Sequence, residues 1–221
     1  MSHNWSNLTG GLVYNGEPVV TPVIKGLFGP LALSGPDEAL TEVQVTESVS
    51  PSWRSIMESL LDELAINCEF EDDIEELDAL VSYVKARFGN LAADKLQKAL
   101  GEGLASEADA DVQDLGELAL LMQDGHNLRS VWTQGAWGGD RIEAGVFGGW
   151  AQFESGNVSL TMNTQRLCEI AESMEQVCQQ GTKSEQTVAQ ALERLDMVAG
   201  GCIRDGVARA NFRRAMANWL I

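Results

Sequence analysis

The sequence predicts an α+β fold, and two kinds of periodicity carry that prediction. Apolar residues recur at helical spacing over residues 51–122 and 163–219. Over residues 10–49 and 128–162 they alternate with polar residues instead, as the two faces of a strand do. The order β, α, β, α along the chain is typical of folds in which helices and strands are segregated.

Residues 10–49 are predicted to begin with a β-hairpin. Leu12–Tyr14 and Glu17–Val20 would be its strands and Asn15–Gly16 its type I′ turn, because both turn positions need the positive φ angle that Asn and Gly tolerate. Farther on, Thr41–Glu47 alternates apolar and polar residues, which predicts a half-buried strand.

Residues 51–122 predict four amphipathic helices. Ser50 as a cap and Pro51 in the first turn would start the first of them. Breaks near Asn67–Phe70, Gly89–Asn90 and Gly101–Asp109 are short, so neighbouring helices should pack antiparallel. The expected buried stripes are Trp53, Ile56, Met57, Leu60, Leu61 and Leu64; Ile74, Leu77, Val81, Val84 and Phe88; Ala92, Leu96, Leu100 and Leu104; and Val112, Leu115, Leu118 and Met122.

Residues 128–162 predict an antiparallel meander of three strands. Residues 142–146, 151–153 and 158–162 would form the strands, with turns at Gly148–Gly149 and Ser155–Asn157.

The C-terminal part of the chain predicts helices again. Thr182–Glu185 fits a capping box, and the last helix carries Val207, Phe212, Met216 and Trp219, of which we expect the last three in the core. A boundary near residue 125 would give two domains, residues 1–124 and 125–221. No linker composition marks that boundary, so a single domain is the alternative.

Charge is distributed unevenly along the chain. The net charge is −18, from 33 acids and 15 bases, and residues 58–124 alone carry 18 acids and 4 bases. This balance argues against direct binding to nucleic acid or to an anionic membrane, both of which need a basic face. It favours a basic partner, either a protein or a nucleoprotein complex.

The sequence shows no sign of export or of membrane insertion. Residues 1–9 lack a cationic segment followed by an apolar one, and the apolar runs are too short to span a bilayer. The four cysteines form no CxxC pair. We therefore expect a cytoplasmic protein with reduced thiols.

The acidic helices supply the candidate binding residues. Ten acids and no base lie between Glu58 and Asp78, and most of them have no lysine four residues later on the same helix. We expect a partner to be contacted by Glu71, Asp72, Asp73, Glu75, Glu76 and Asp78, and behind them by Asp109, Asp111 and Asp114.

These residues favour a non-enzymatic inhibitor that blocks a basic, nucleic-acid-binding surface. Rows of carboxylates on paired helices approximate the phosphate spacing of a duplex, about one charge per 1.7 Å of axis. Anti-CRISPR and anti-restriction proteins of phages and other mobile elements are examples of such DNA mimics. The alternatives are an assembly subunit or secretion chaperone whose acids only solubilise it, and a plain solvated helix face.

The chain lacks the motifs of common catalytic and cofactor sites. It has no P-loop, no GxGxxG, no GxSxG and no HExxH. Asp109 begins like a calcium loop, but Asp114 and Leu120 stand where that pattern needs glycine and glutamate. We expect no catalytic residue, no metal and no cofactor, although a pair of His126 with a cysteine stays open.

One basic element is expected at the C-terminus. The last helix carries Arg204, Arg209, Arg213 and Arg214 against the single acid Asp205. Such a helix pairs with acids of its own chain or with the acidic helices of a second copy, which makes a homodimer possible.

Overall fold

The computed structural model describes residues 4–32, 40–45, 51–66, 72–139, 148–156, 158–163, 203 and 205–220. It confirms the α+β class: the described residues form six α-helices and one antiparallel sheet of five strands. In chain order the elements are β1 (Asn4–Tyr14), α1 (Pro22–Phe28) with a 3₁₀ turn (Gly29–Leu31), β2 (Glu42–Val45), α2 (Trp53–Glu63), α3 (Asp73–Phe88), α4 (Asn90–Ser106), α5 (Val112–Leu121), β3 (Leu128–Gly139), β4 (Gly148–Ser155), β5 (Ser159–Asn163) and α6 (Gly206–Leu220).

The sheet has the strand order β2-β1-β3-β4-β5, and every neighbouring pair is antiparallel. Two of its strands precede residue 125 and three follow it, so the sheet is built from both of the predicted segments. The second and third predicted strands of the meander are confirmed as β4 and β5, and β3 at Leu128–Gly139 precedes the first predicted strand.

The predicted turn at Gly148–Gly149 is wrong, because both glycines belong to β4 and pair with β3. Close packing explains a glycine-rich pairing here: a Cβ on Gly135 would lie 2.6 Å from the indole of Trp150, its partner across the strands. The second predicted turn does join β4 to β5, where the Ser155 amide donates to the Val158 carbonyl at 2.8 Å. Residues 142–146 lie outside the described residues.

The N-terminal hairpin forms with a different second strand. β1 pairs with β2 at Glu42–Val45, within the predicted strand Thr41–Glu47, whereas the segment after Asn15–Gly16 does not return as a strand. It leads into α1 instead, where Pro22 occupies the first turn and the apolar residues face one side. The buried residues of α1 are Val23, Ile24, Gly26, Leu27 and Phe28.

A loop from the other half of the chain holds this segment in place. The Asp124 carboxylate accepts hydrogen bonds from the Thr21 hydroxyl at 2.6 Å and from the Val23 amide at 3.0 Å, and so caps α1. The Asn127 side chain donates to two carbonyls and accepts from the Val19 amide. In a hairpin the backbone groups of residues 15–19 would pair with β1, and here the Asn127 side chain supplies partners for three of them.

The four predicted helices of residues 51–122 are present. The first begins at Trp53 with Ser52 as its cap, not Ser50, because the Ser52 hydroxyl accepts from the Ser55 amide at 3.2 Å. The predicted break at Gly101–Asp109 is confirmed only at its end, since α4 continues to Ser106 and α5 begins at Val112. The stripes of α2 and α5 are buried as expected, and so are Ala92, Leu96 and Leu100 of α4.

The stripe of α3 is confirmed except at its N-terminal end. Val84 is buried, and Leu77, Val81 and Phe88 are half-buried against the core. Ile74, in contrast, is 69% exposed, and the prediction missed the buried Leu80. α3 packs against α4 and α2.

The core lies between the sheet and helices α1, α2, α4 and α5, and α3 adds Leu80 and Val84 to it. α5 crosses β3 and β4 at close range: a Cβ on Gly116 would lie 3.2 Å from Val131. Glycine at the contact lets the helix backbone approach the sheet and places the neighbouring leucines of α5 in the core.

The last predicted helix is confirmed as α6, capped by Asp205, whose carboxylate accepts from the Ala208 amide at 2.8 Å. Val207 is 69% exposed, and Phe212 is half-buried. The capping box Thr182–Glu185 and the side chains of Met216 and Trp219 lie outside what the structure describes.

Candidate acidic interface

The structure separates the predicted binding residues into two groups. Asp72, Asp73, Glu75, Glu76 and Asp78 lie on the cap and first two turns of α3, whereas Asp109, Asp111 and Asp114 lie at the start of α5. α4 packs against both α3 and α5, so the two groups lie on the two helices that flank α4. Glu71 lies outside the described residues.

Asp72 is the cap of α3. One of its carboxylate oxygens accepts from the Ile74 amide at 2.9 Å and from the Glu75 amide at 3.0 Å. Such a cap stabilises a helix by about 1 kcal/mol, because it satisfies amides that have no partner within the helix. Asp72 therefore has a structural role in addition to any binding role.

Asp73 forms an ion pair with Arg54 of α2. Both guanidinium nitrogens contact the carboxylate, one of them at 2.6 Å. The pKa of Arg54 is raised, first by this hydrogen bond and then by the charges of Asp73, Glu58 and Glu76. One cation thus lies among at least three carboxylates, and the ends of α2 and α3 together keep an excess of negative charge.

The outer side of α3 carries no base near its acidic end. Glu75 and Asp78 are exposed, one turn apart, and Ile74 lies beside them. The basic residues of this helix, Lys85 and Arg87, lie in its last turn, where they complement the helix dipole. We call Ile74, Glu75 and Asp78 the α3 acidic face.

The acids of α5 hold the helices together. Asp111 caps α5 by accepting from the Gln113 amide at 2.8 Å. Asp114 and Glu117 both accept from Lys95 of α4, at 2.7 and 2.8 Å. Burial lowers the pKa of Lys95, but hydrogen bonds to the two carboxylates outweigh burial, so that its pKa is raised overall.

Asp109 is exposed, and its backbone helps to fix the start of α2. It pairs with Ser52 in an isolated antiparallel bridge, in which the Ala110 amide donates to the Pro51 carbonyl at 2.8 Å. Asp111 is therefore accounted for by a cap and Asp114 by an ion pair, whereas the bridge at Asp109 involves its backbone and not its exposed carboxylate. The α3 acidic face is the part of the prediction in which two exposed carboxylates lie beside an exposed apolar residue.

Sequence reasoning missed the cations of the two groups. Arg54 is 19 residues from Asp73, and Lys95 is 19 residues from Asp114, so each pair appears only when helices pack. The capping roles of Asp72 and Asp111 did have a sequence signal, because Asp directly before an amphipathic helix is a preferred cap.

His126 serves the fold. Its buried ring donates from Nε2 to the Ala119 carbonyl at 2.9 Å, and Nδ1 accepts from the Leu128 amide at 3.2 Å. These two bonds join the end of α5 to the start of β3 and occupy both ring nitrogens. The cysteines lie outside the described residues. Among the residues that are described, no three His, Cys, Asp or Glu side chains are grouped to hold a metal ion.

The fold and these contacts define an α+β protein with an acidic helical surface. None of the helices in the described part of the chain is both long and apolar enough to cross a membrane. Comparison with family models, with curated proteins and with solved structures finds no match to this chain.

Proposed function

We propose that the protein is a non-enzymatic inhibitor that binds, through its acidic helices, to a basic nucleic-acid-binding surface of a partner. The protein would come from a phage or another mobile element and would act in the cytoplasm. Its target would be a host defence complex of the CRISPR or restriction type. The α3 acidic face is the observation that supports this most: a large apolar residue, Ile74, lies 69% exposed beside exposed Glu75 and Asp78.

Ile74 would act as the centre of such an interface. Apolar side chains that become fully desolvated contribute much of the binding energy, and the polar ring around them excludes water. The surrounding carboxylates would complement the lysines and arginines that the partner otherwise uses for phosphates. Inhibition then follows from competition, with fast association and strong salt dependence.

The acids that cap helices or pair with Arg54 and Lys95 would support this surface without being its centre. Their contacts join α3 to α2 and α5 to α4, and the negative charge they leave adds to the long-range field. Association rate should therefore depend on many acids, whereas the lifetime of the complex should depend on the α3 acidic face.

The test is a pull-down with the tagged protein from nuclease-treated bacterial lysate, washed at low and high salt. We expect a basic nucleic-acid-binding protein that salt releases and that duplex DNA displaces. The double variant E75K/D78K should lose this protein, and I74A should weaken its binding.

The matched control is D94K/E102K. It makes the same charge change at exposed positions of α4 and should keep the partner. Circular dichroism of each variant checks that the fold survives. A partner that both double variants lose equally, or that neither loses, would contradict the role of the α3 acidic face.

A second candidate is an assembly subunit or secretion chaperone in which the acids serve only solubility. Leu91 of α4, 70% exposed, and Val207 of α6 favour an apolar contact of this kind. Binding of that type should persist in high salt, because buried apolar area is not screened.

A further inference from the structure

Asn15 and Gly16 form an open, exposed bend directly after β1. Both residues are exposed, Gly16 has a φ angle of +88°, and no heavy atom lies within 4 Å of the place of a Cβ on Gly16. This is the only Asn-Gly pair in the sequence. No hydrogen bond from the described residues reaches the Asn15 side-chain amide, so its carbon is accessible to a neighbouring nucleophile.

We propose that Asn15 is a site of spontaneous deamidation. The Gly16 backbone nitrogen attacks Cγ of Asn15 and forms an N–Cγ bond; the Cγ–Nδ2 bond breaks, and ammonia leaves with the proton of the Gly16 amide. Water then opens the five-membered imide. Attack at Cγ breaks the new bond and gives aspartate, whereas attack at the Asn15 backbone carbonyl carbon breaks the original peptide bond and gives isoaspartate. Glycine favours this step because it has no side chain to obstruct the attacking nitrogen.

Two Asp-Gly pairs could form the same imide, and the structure restrains both. The carboxylate of Asp124–Gly125 is held by the Thr21 hydroxyl and the Val23 amide. The carboxylate of Asp205–Gly206 accepts from the Ala208 amide at 2.8 Å. Each would have to break these bonds before its Cγ could meet the next nitrogen, so Asn15 should react first.

Asn127 is the positioning residue that sets the rate at Asn15. Its carbonyl accepts from the Asn15 amide at 2.9 Å, and its Nδ2 donates to the carbonyls of Asn15 and Glu17, both at 2.8 Å. Ring closure has to turn the peptide plane between residues 15 and 16, which breaks the bond to the Asn15 carbonyl. Isoaspartate also lengthens the backbone by one atom, so Asn127 can no longer reach Asn15, Glu17 and Val19 together.

The test is to incubate the folded full chain in mildly alkaline buffer and follow it by peptide mapping and by methylation with an isoaspartyl methyltransferase. We expect modification at residue 15 to be at least about tenfold faster than at either Asp-Gly pair. N15Q should abolish it, because closure would need a six-membered ring.

N127A should raise the rate at residue 15 about fivefold, the factor that corresponds to one hydrogen bond of ordinary net strength. The rate at Asp205 should stay unchanged, which a general loosening of the fold would not allow. If Asn15 stayed intact in the folded chain under conditions in which the urea-unfolded chain deamidates at Asn15, the proposal would be overturned. An unchanged rate in N127A would overturn the role of Asn127.

Discussion

Two glycines of α4 should respond oppositely to the same substitution. Within a helix, Gly→Ala contributes about 1 kcal/mol of stability through propensity alone. Nothing lies within 4 Å of the place of a Cβ on Gly101, so G101A should show that gain. A Cβ on Gly103 would overlap the indole of Trp53, which is 5% exposed at the start of α2. Overpacking of this kind costs about 1–3 kcal/mol, and the overlap with both ring and Cβ predicts the upper end. G103A should therefore lose about 2 kcal/mol net.

Urea unfolding followed by circular dichroism measures both effects. With a slope of about 2 kcal/mol/M, the midpoint should fall by about 1 M in G103A and rise by about 0.5 M in G101A. In a W53A background the Cγ and the ring are gone, and G103A should lose most of its penalty. If G103A proved as stable as G101A in the wild-type background, the close approach of α2 and α4 at this point would be refuted.

Two further predictions concern charge and pH. K95M should destabilise the protein by about 1 kcal/mol, because it leaves Asp114 and a second carboxylate without their cation. The pKa of Lys95 is raised, so this contribution to stability is present below the ordinary lysine pKa of 10.5 and is lost as pH rises above it. If the difference in free energy of unfolding between the wild type and K95M grew in that range, the pairing would be contradicted. Burial raises the pKa of Tyr14 to about 12, and its hydroxyl donates to the Leu40 carbonyl at 2.7 Å. In Y83F, where Tyr14 is the remaining tyrosine, phenolate absorbance should titrate near that value, and stability should fall between pH 10 and 12 by up to about 2 kcal/mol, solvent screening included. A midpoint near 10 in the folded protein would contradict the burial of this hydroxyl.

The helices of residues 51–122 were predictable because burial there follows the helical period. The stripes of α2 and α5 are buried as the spacing indicates, since each helix has one side against the core. α3 departs from its pattern only at Leu80 and Ile74, and it packs against α4 and α2. Leu77, Val81 and Phe88 are half-buried against the core, and periodicity alone does not say how deeply each apolar residue of a stripe lies.

α1 was not predictable from local sequence. Its prolines and short apolar runs fit an interrupted strand as well as a short helix. A helix of this length has too few residues to be stable without tertiary contacts. What decides between the two is Asp124, 101 residues away from Val23 in sequence, which caps the helix. Local patterns cannot show a partner that only the packing of β1 beside β3 brings near.

The sequence predicted that the candidate residues lie on helices, and the structure confirms this for α3 and α5. Counting charges could not show their contacts, because it treats every acid as equivalent. Packing divides them, because Arg54 and Lys95 lie on helices adjacent to the acids they bind. The same division shows why these carboxylates are tolerated: a cap or a nearby cation offsets much of the repulsion that their spacing creates.

The helix dipole favours the acids in the first turn of α3, but Asp78 lies too far along the helix to benefit from it. Asp73, Glu75 and Glu76 lie in the first turn, where negative charge is favourable, but this benefit falls off within one turn. Asp78 lies beyond it, and the residue four positions later, Ser82, is neutral. If the face were only solvated, a lysine at position 78 would leave stability unchanged or raise it slightly, since it relieves repulsion. Loss of partner binding in a variant of unimpaired stability would therefore have to come from the interface itself. This is why the comparison of E75K/D78K with D94K/E102K distinguishes a functional acidic face from a solubilising one.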